Sequence, residues 1–119
     1  MIQEVAATIQ SYLAAPAWAV AYAGDEFVVV LPGVRRVAAV EKAEDIRARI
    51  RETAYLAATE QPVRLAASFG VATYPDDAGD LESLLAAGDQ ALFAVKRNGG
   101  DGVAVAEQEP AAPRSEARR

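Results

Sequence analysis

The chain reverses direction at Tyr22-Ala23-Gly24-Asp25-Glu26-Phe27, a short acidic segment between two apolar runs. The first run is Ala19-Val20-Ala21-Tyr22, and the second is Phe27-Val28-Val29-Val30-Leu31. β-Branched and aromatic runs around a glycine-containing turn predict a β-hairpin. Two carboxylates at its tip can hold a hard cation and, through it, a phosphate. Taken alone, the segment is more typical of a plain structural turn, so any function must be argued from the rest of the chain.

Apolar periodicity predicts the elements around this hairpin, which occupies residues 17–31. An amphipathic helix is predicted over residues 2–14, and Pro16 ends it because the residue before a proline avoids helical geometry. One apolar stripe from Val37 to Ala57 predicts a long second helix with a solvated, charge-rich opposite face.

The second half of the chain predicts a strand, a helix and a short strand. Strict alternation from Val63 to Thr73 predicts one long strand with small residues on one face, suited to close packing by a helix. Asp80 is the predicted N-cap of a third helix, which Asn98-Gly99-Gly100 ends. Val103-Ala104-Val105 is the predicted last strand.

The resulting order is α-β-β-α-β-α-β, which predicts an α+β fold with helices on a mixed sheet. The 119 residues suffice for one domain with one core. Residues 107–119 lack apolar periodicity and contain two prolines and several charges, so we predict a disordered C-terminal tail there.

Composition excludes several kinds of chemistry. The chain has no cysteine and no histidine, so thiolate sites and histidine-based catalysis are impossible within it, and any metal must be held by oxygen, as Mg²⁺, Mn²⁺ or Ca²⁺ is. A net charge of −5 gives no electrostatic basis for binding nucleic acid or anionic lipid. No apolar run approaches the roughly 20 residues of a membrane span, so we expect a cytoplasmic protein.

Three segments together resemble the GGDEF family, the diguanylate cyclases, over residues 2–106. The first is Tyr22–Phe27 with its Gly24-Asp25-Glu26-Phe27 tetrad. The second, Ala67-Ser68-Phe69-Gly70-Val71-Ala72, is similar to a strand of the family. The third begins at Asp80-Leu81-Glu82-Ser83-Leu84-Leu85, continues as Gly88-Asp89-Gln90-Ala91-Leu92-Phe93 and reaches Lys96.

The resemblance implies a palm-like, ferredoxin-like domain related to nucleotidyl cyclases. Members condense two GTP molecules into cyclic di-GMP through two-metal phosphoryl chemistry, one GTP on each of two facing domains. It implies catalytic roles for Asp25 and Glu26, with Glu26 also the metal ligand. Gly24 and Lys96 would bind substrate, Gly24 by close backbone approach and Lys96 at the triphosphate. Mg²⁺ or Mn²⁺ would be the cofactor only if the domain is active.

The sequence also departs from the family pattern. Ala23 stands where the signature has its first glycine, and Gly100 stands where a phosphate-binding arginine is expected. Ala14 and Ala17 occupy the positions of the arginine and aspartate of the inhibitory product site, so that site cannot bind cyclic di-GMP in the usual bidentate way. We read the signature as degenerate, although an alanine at its first position is a mild change.

The largest departure is that the family's first strand and helix have no counterpart, so residues 1–106 are expected to be a partial GGDEF domain. That strand supplies a metal-binding aspartate and lies centrally in the sheet. Its loss predicts exposed strand edges, which the flanking strands, a second copy or a separate polypeptide would have to satisfy. We therefore expect a homodimer or strand-exchanged self-association.

The favoured interpretation is a degenerate, catalytically inactive domain of bacterial cyclic di-GMP signalling that acts through protein–protein contacts, for example with a sensor. The chain alone is thus expected not to be an enzyme. The alternative is a diguanylate cyclase completed by the missing N-terminal segment or by a partner, and only then a binder of GTP. A third hypothesis, a domain that keeps GTP without turning it over, is disfavoured because the guanine-binding helix of the family is absent.

Overall fold

The computed structural model describes residues 2–23, 26–56 and 62–106. It contains three helices and six short strands in these ranges, in the order α-β-β-α-β-β-β-α-β. They are α1 (Ile2–Ser11), β1 (Trp18–Ala23), β2 (Glu26–Val30), α2 (Arg36–Glu52), β3 (Ala54–Leu56), β4 (Pro62–Arg64), β5 (Phe69–Val71), α3 (Leu81–Arg97) and β6 (Val103–Val105). The predicted α+β class is confirmed, whereas the predicted element order needs two corrections.

The first correction concerns the end of α2, which was predicted to continue to Ala57. The helix ends at Glu52 because Thr53 is extended, with φ −86° and ψ 131°, and its backbone N–H donates to the carbonyls of Arg49 and Ile50. The next residues form β3, whose Tyr55 is buried and whose phenol oxygen lies 2.8 Å from the hydroxyl of Thr8 on α1. Where the last turn of the helix was predicted, the chain is instead extended as β3 and buries the aromatic side chain of Tyr55.

The second correction concerns the single strand predicted from Val63 to Thr73. Two short strands form instead, because the segment changes partners along its length. β4 pairs antiparallel with β3, whereas β5 pairs parallel with β6. A third ladder, between β1 and β2, is the predicted hairpin, with Val20 opposite Val28. The described strands therefore form three two-stranded ladders.

The other predicted elements are confirmed. The helix predicted over residues 2–14 is present as α1, and backbone hydrogen bonds continue its turns to Leu13. Asp80 caps α3 by accepting a hydrogen bond from the backbone N–H of Ser83 at 2.7 Å. β6 has the predicted bounds. The predicted disordered tail, residues 107–119, lies outside the described residues.

The hydrophobic core joins helices and strands from both halves of the chain. Its buried cluster consists of Ile9, Ile46, Ile50 and Tyr55. Partly buried side chains from the hairpin and from the second half of the chain pack against it, among them Phe27, Val29, Leu65, Ala67 and Phe69. Because strand residues alternate between two faces, this packing defines one face of β2 and β5 as the core face.

Helix α3 packs on the opposite face of β5. A Cβ placed on Gly70 would overlap the carbonyl oxygen of Gly88 and stand 2.5 Å from the backbone nitrogen of Leu92. Only a glycine permits so close an approach of helix backbone to strand backbone. The predicted packing of a helix on the small-residue face is therefore confirmed at Gly70 and Ala72.

Candidate functional site

The hairpin brings Glu26 to the first position of β2, on the face opposite the core. Alternation along β2 gives Phe27 and Val29 to the core and leaves Glu26, Val28 and Val30 on the other face. Gly24 and Asp25, the other predicted residues of the tip, lie outside the described residues. Glu26 is thus the described member of the predicted acidic pair.

Lys96 reaches Glu26 from the last turn of α3. Its Nζ atom lies 3.7 Å from Oε2 of Glu26, and the two side chains are 52% and 37% exposed, respectively. A partly exposed pair of this kind contributes only about 0–1 kcal/mol to stability. Its importance is positional, because it places an ammonium and a carboxylate, both predicted from the sequence, in one site.

A cleft of about 210 Å³ surrounds this ion pair and is lined by Glu26, Asp89, Leu92, Phe93 and Lys96. Four of these residues come from α3, where the spacing from Asp89 to Phe93 and Lys96 repeats on one helical face. Asp89 and Phe93 were part of the resemblance motif but were not predicted as site residues. Their helical spacing with Lys96 is the signal that identifies them.

Arginine and phenylalanine side chains stack at the rim of the cleft. The guanidinium of Arg97 lies 5.7 Å from the centroid of the Phe93 ring, within the range of a cation–π interaction. Phe93 is exposed. The rim therefore combines a flat aromatic surface with a second positive charge near Lys96.

The loop after α3 follows Lys96, the lysine that the family resemblance assigns to phosphate binding, and its own residues hold it in place. Gly99 and Gly100 have φ values of 102° and 78°, which favour glycine. The backbone N–H of Asp101 donates a hydrogen bond to the hydroxyl of Ser68 at 3.1 Å, and the Asp101 carboxylate accepts hydrogen bonds from Arg47 and Arg51. The position expected to hold an arginine, Gly100, is thus part of a helix-ending turn.

The described part of the cleft contains two carboxylates and one ammonium. Within the described ranges, no group of three or more acidic side chains is arranged to hold a metal ion. Two-metal phosphoryl transfer requires carboxylates that coordinate both ions. The donor set that the structure describes does not fit such a pair of metals, so no metal-dependent step can be derived from it.

None of the helices in the described ranges has the length and apolar character needed to cross a lipid bilayer.

Comparison with known proteins identifies the family. The family model described as "Diguanylate cyclase, GGDEF domain" matches residues 1–102. The chain is 36% identical over 78 residues to diguanylate cyclase DosC of Escherichia coli, a match that covers 66% of this chain and 17% of that protein. It is 35% identical over 101 residues to an uncharacterized signaling protein of Caulobacter vibrioides, covering 83% of this chain and 12% of that protein.

Solved structures agree with this family. The GGDEF domain of YfiN (TpbB) from Pseudomonas aeruginosa superimposes with a TM-score of 0.84 at 24% identity, covering 91% of this chain and 67% of that one. The GGDEF domain of DgcB from Caulobacter crescentus, solved in complex with c-di-GMP, gives a TM-score of 0.73 at 27% identity, covering 90% and 63%. The resemblance inferred from the three motifs is confirmed, and the chain belongs to the GGDEF domain family of diguanylate cyclases.

Proposed function

We propose that this chain is a catalytically silent GGDEF domain that takes part in bacterial cyclic di-GMP signalling through protein–protein contacts. The observation that carries the proposal is the small number of carboxylates among the described residues that line the cleft. Glu26 has the ammonium of Lys96 as its charged neighbour at 3.7 Å, and Asp89 is the second described carboxylate of the lining. A pair of metal ions needs more carboxylate ligands than these two.

The altered positions predicted from the sequence support the same proposal. Gly100 lies in the turn that ends α3, where its backbone N–H donates to the carbonyl of Val95, so this position offers no guanidinium to a phosphate. The backbone N–H of Ala17 donates to the carbonyl of Ala14 at 2.9 Å, which closes a turn. Neither alanine carries a charged group for a product site. The roles assigned to Asp25 and Gly24 stay predictions from the family signature.

An assay with GTP and Mg²⁺ tests the proposal directly. We expect the purified chain to yield no cyclic di-GMP by chromatography, with Glu26→Gln as the matched variant. Product formed by the unaltered chain and lost in Glu26→Gln would overturn the proposal, because that pair of results requires a working carboxylate at position 26.

The alternative, a diguanylate cyclase completed by a further segment or a partner, is favoured by the positive side of the cleft. Lys96 lines the cleft, and Arg97 stacks on Phe93 at its rim. Two cations beside an aromatic ring are suited to a nucleotide phosphate and base. Under this alternative, GTP and Mg²⁺ or Mn²⁺ bind only after another polypeptide contributes the carboxylates that complete the metal set.

The predicted homodimer or strand-exchanged self-association is tested by light scattering over a range of protein concentrations. A mass that stays at one chain throughout would contradict it. The expectations of a cytoplasmic location and of no nucleic-acid partner also stay predictions, which depend on composition and on a net charge of −5.

A further inference from the structure

The outer strand of the hairpin, β1, has one edge without a strand partner. Among the residues that the structure describes, β1 pairs with β2 alone. On α1, the side-chain amide of Gln10 donates a long hydrogen bond of 3.5 Å to the carbonyl of Ala19. This contact indicates that the carbonyl and the N–H of Ala19 point away from β2. The backbone groups of Ala21, two residues further, share this direction and can pair with another strand.

The sequence of this strand is symmetric about Val20. Residues 17–23 read Ala-Trp-Ala-Val-Ala-Tyr-Ala, so an aromatic residue stands two positions to either side of the valine, with alanine between them. The valine and both aromatic residues, Trp18 and Tyr22, are exposed. An antiparallel strand of the same sequence would therefore place aromatic against aromatic, valine against valine and alanine against alanine.

Charge does not protect this edge from pairing. Proteins discourage contacts between strand edges with lysine, proline or a bulge. Pro16 and the irregular register between Ala21 and Ala23 border β1, but the strand is regular between them. The sequence contains no charged residue from Val5 to Gly24. Because a charged strand would lose hydration here without gaining an ion pair, the edge favours an uncharged, apolar partner.

We propose that β1 pairs antiparallel with β1 of a second copy of this chain, about a two-fold axis that passes by Val20. Ala19 of one copy and Ala21 of the other then exchange backbone hydrogen bonds, and Trp18 stands opposite Tyr22 of the other copy. The two copies use the same surface, so the contact closes at two chains. The inference rests on the proposed function, because it names a surface and a partner for the protein–protein contacts of a silent domain.

The size of this contact predicts weak association. Trp18 and Tyr22 are 49% and 59% exposed, so each offers about 100 Å² of surface to the second copy. The four aromatic side chains of two copies would bury about 400 Å². Even with Val20 and the backbone, this area is below the roughly 1,200 Å² of stable interfaces. We therefore expect a dimer that forms as protein concentration rises and that salt favours, because screening reduces the repulsion between two copies of net charge −5.

Cysteine cross-linking of the full chain tests the register, because the chain has no cysteine of its own. The two-fold axis brings the two copies of residue 20 to a Cα separation of about 4.5 Å, which a disulfide can bridge. Val28 is opposite Val20 within the hairpin. Its two copies would stand three strand spacings apart, about 14 Å, which is too far for a disulfide. With diamide as the oxidant, Val20→Cys should form at least about tenfold more disulfide-linked dimer than Val28→Cys.

Light scattering up to millimolar protein concentration tests the surface without a cross-link. The mean mass of the unaltered chain should rise from one chain toward two. Val20→Lys should raise the dissociation constant at least about tenfold, because it places two ammonium groups face to face at the two-fold axis. Val37→Lys makes the same change in net charge at an exposed position of α2, and it should leave the dissociation constant within about twofold.

Each of four results would contradict the inference. A mass of one chain at every concentration would mean that β1 does not pair, and a mass above two chains would mean that the contact does not close. An unchanged dissociation constant for Val20→Lys would place the contact on another surface. Equal cross-linking of Val20→Cys and Val28→Cys would mean that hairpin faces meet instead of strand edges. Formation of cyclic di-GMP by a chain that still cross-links at residue 20 would instead overturn the proposed function alone.

Discussion

The unit of α3, β5 and β6 and the hairpin of β1 and β2 are held in place by different kinds of contact. In the first unit, helix backbone touches strand backbone at Gly70, and the following loop is tied to α2 through Asp101. The hairpin contacts the core through side chains such as Phe27 and Val29, and its link to α3 is the partly exposed pair of Glu26 and Lys96.

Large apolar side chains are exposed in both units. The hairpin face opposite the core leaves Trp18 49%, Val20 43% and Tyr22 59% exposed, and Leu81 and Phe93 of α3 are also exposed, whereas Ala91 and Val95 of that helix are buried. Isolated two-stranded hairpins are marginally stable and depend on packing against other elements. We therefore infer that α2, α3, β5 and β6 carry most of the stability, and that the hairpin bearing the family signature opens more readily.

The largest expected loss of stability follows from truncating a buried side chain of α2. Ile50 is 1% exposed and belongs to the central cluster, so Ile50→Ala should reduce the free energy of unfolding by about 3–4 kcal/mol through lost burial and a residual cavity. Val37 on the same helix is 71% exposed, and Val37→Ala should change it by less than about 0.5 kcal/mol. Urea denaturation measures both, and similar losses would contradict the burial pattern.

The next effect tests the backbone contact between β5 and α3. Gly70→Ala should cost about 2–3 kcal/mol, because its methyl group would overlap the backbone at Gly88 and Leu92. Gly88→Ala adds the same methyl group at the same interface, but it would stand 3.8 Å from the Cβ of Ala72. That variant should be neutral or gain up to about 1 kcal/mol from helix propensity. Equal destabilisation by the two alanines would disprove the close approach.

A smaller effect concerns the tie between α2 and the loop after α3. Arg47 contacts Asp101, whose side chain is 18% exposed, and also Glu44, whose side chain is 49% exposed. Asp101→Asn keeps a residue that tolerates its φ of 57° but removes the charge, and should cost about 1 kcal/mol. Glu44→Gln removes the exposed partner of the same arginine and should cost less than about 0.5 kcal/mol. Thermal unfolding of the two variants at equal salt distinguishes them.

The link between hairpin and helix should be weaker still. A double-mutant cycle of Glu26→Gln and Lys96→Met should give a coupling energy below about 1 kcal/mol, because both side chains are partly exposed. Salt should reduce it further by screening. A coupling of several kcal/mol that persists at high salt would show that the hairpin is held as firmly as α3, contrary to the division above.

The sequence predicted those elements that depend on interactions between residues close together in the chain. Asp80 as N-cap, the β1–β2 hairpin and the glycines after α3 each depend on residues close to their own position in the sequence. The division of the segment 63–73 was not predictable in this way, because it depends on β3 and β6 as partners that are distant in sequence. The end of α2 was missed because Tyr55 contacts Thr8 of α1, a partner distant in sequence that the helical stripe does not reveal.

The candidate site divides along the same line. Family resemblance predicted Glu26 and Lys96, and the fold brings them together although they are far apart in sequence. Asp89 and Phe93 were not predicted as site residues, because a helical face becomes a site only when another element, here β2, lies opposite it.

The smallest effect is the pH dependence of the α3 N-terminus. The hydrogen bond from the Ser83 backbone N–H, with a further one from the Ser83 side chain, lowers the pKa of Asp80 from its ordinary value of 3.8. A lowered pKa in the folded state means that the ionised cap stabilises the protein above pH 3.8 and that this stabilisation is lost as pH falls through the folded-state value. Asp80→Asn keeps a capping side chain without a charge. The melting temperature of the unaltered chain should therefore exceed that of Asp80→Asn at neutral pH, and the difference should shrink in acid. A difference that grows as pH falls would contradict the cap, since it would require a carboxyl that binds its proton more tightly in the folded state.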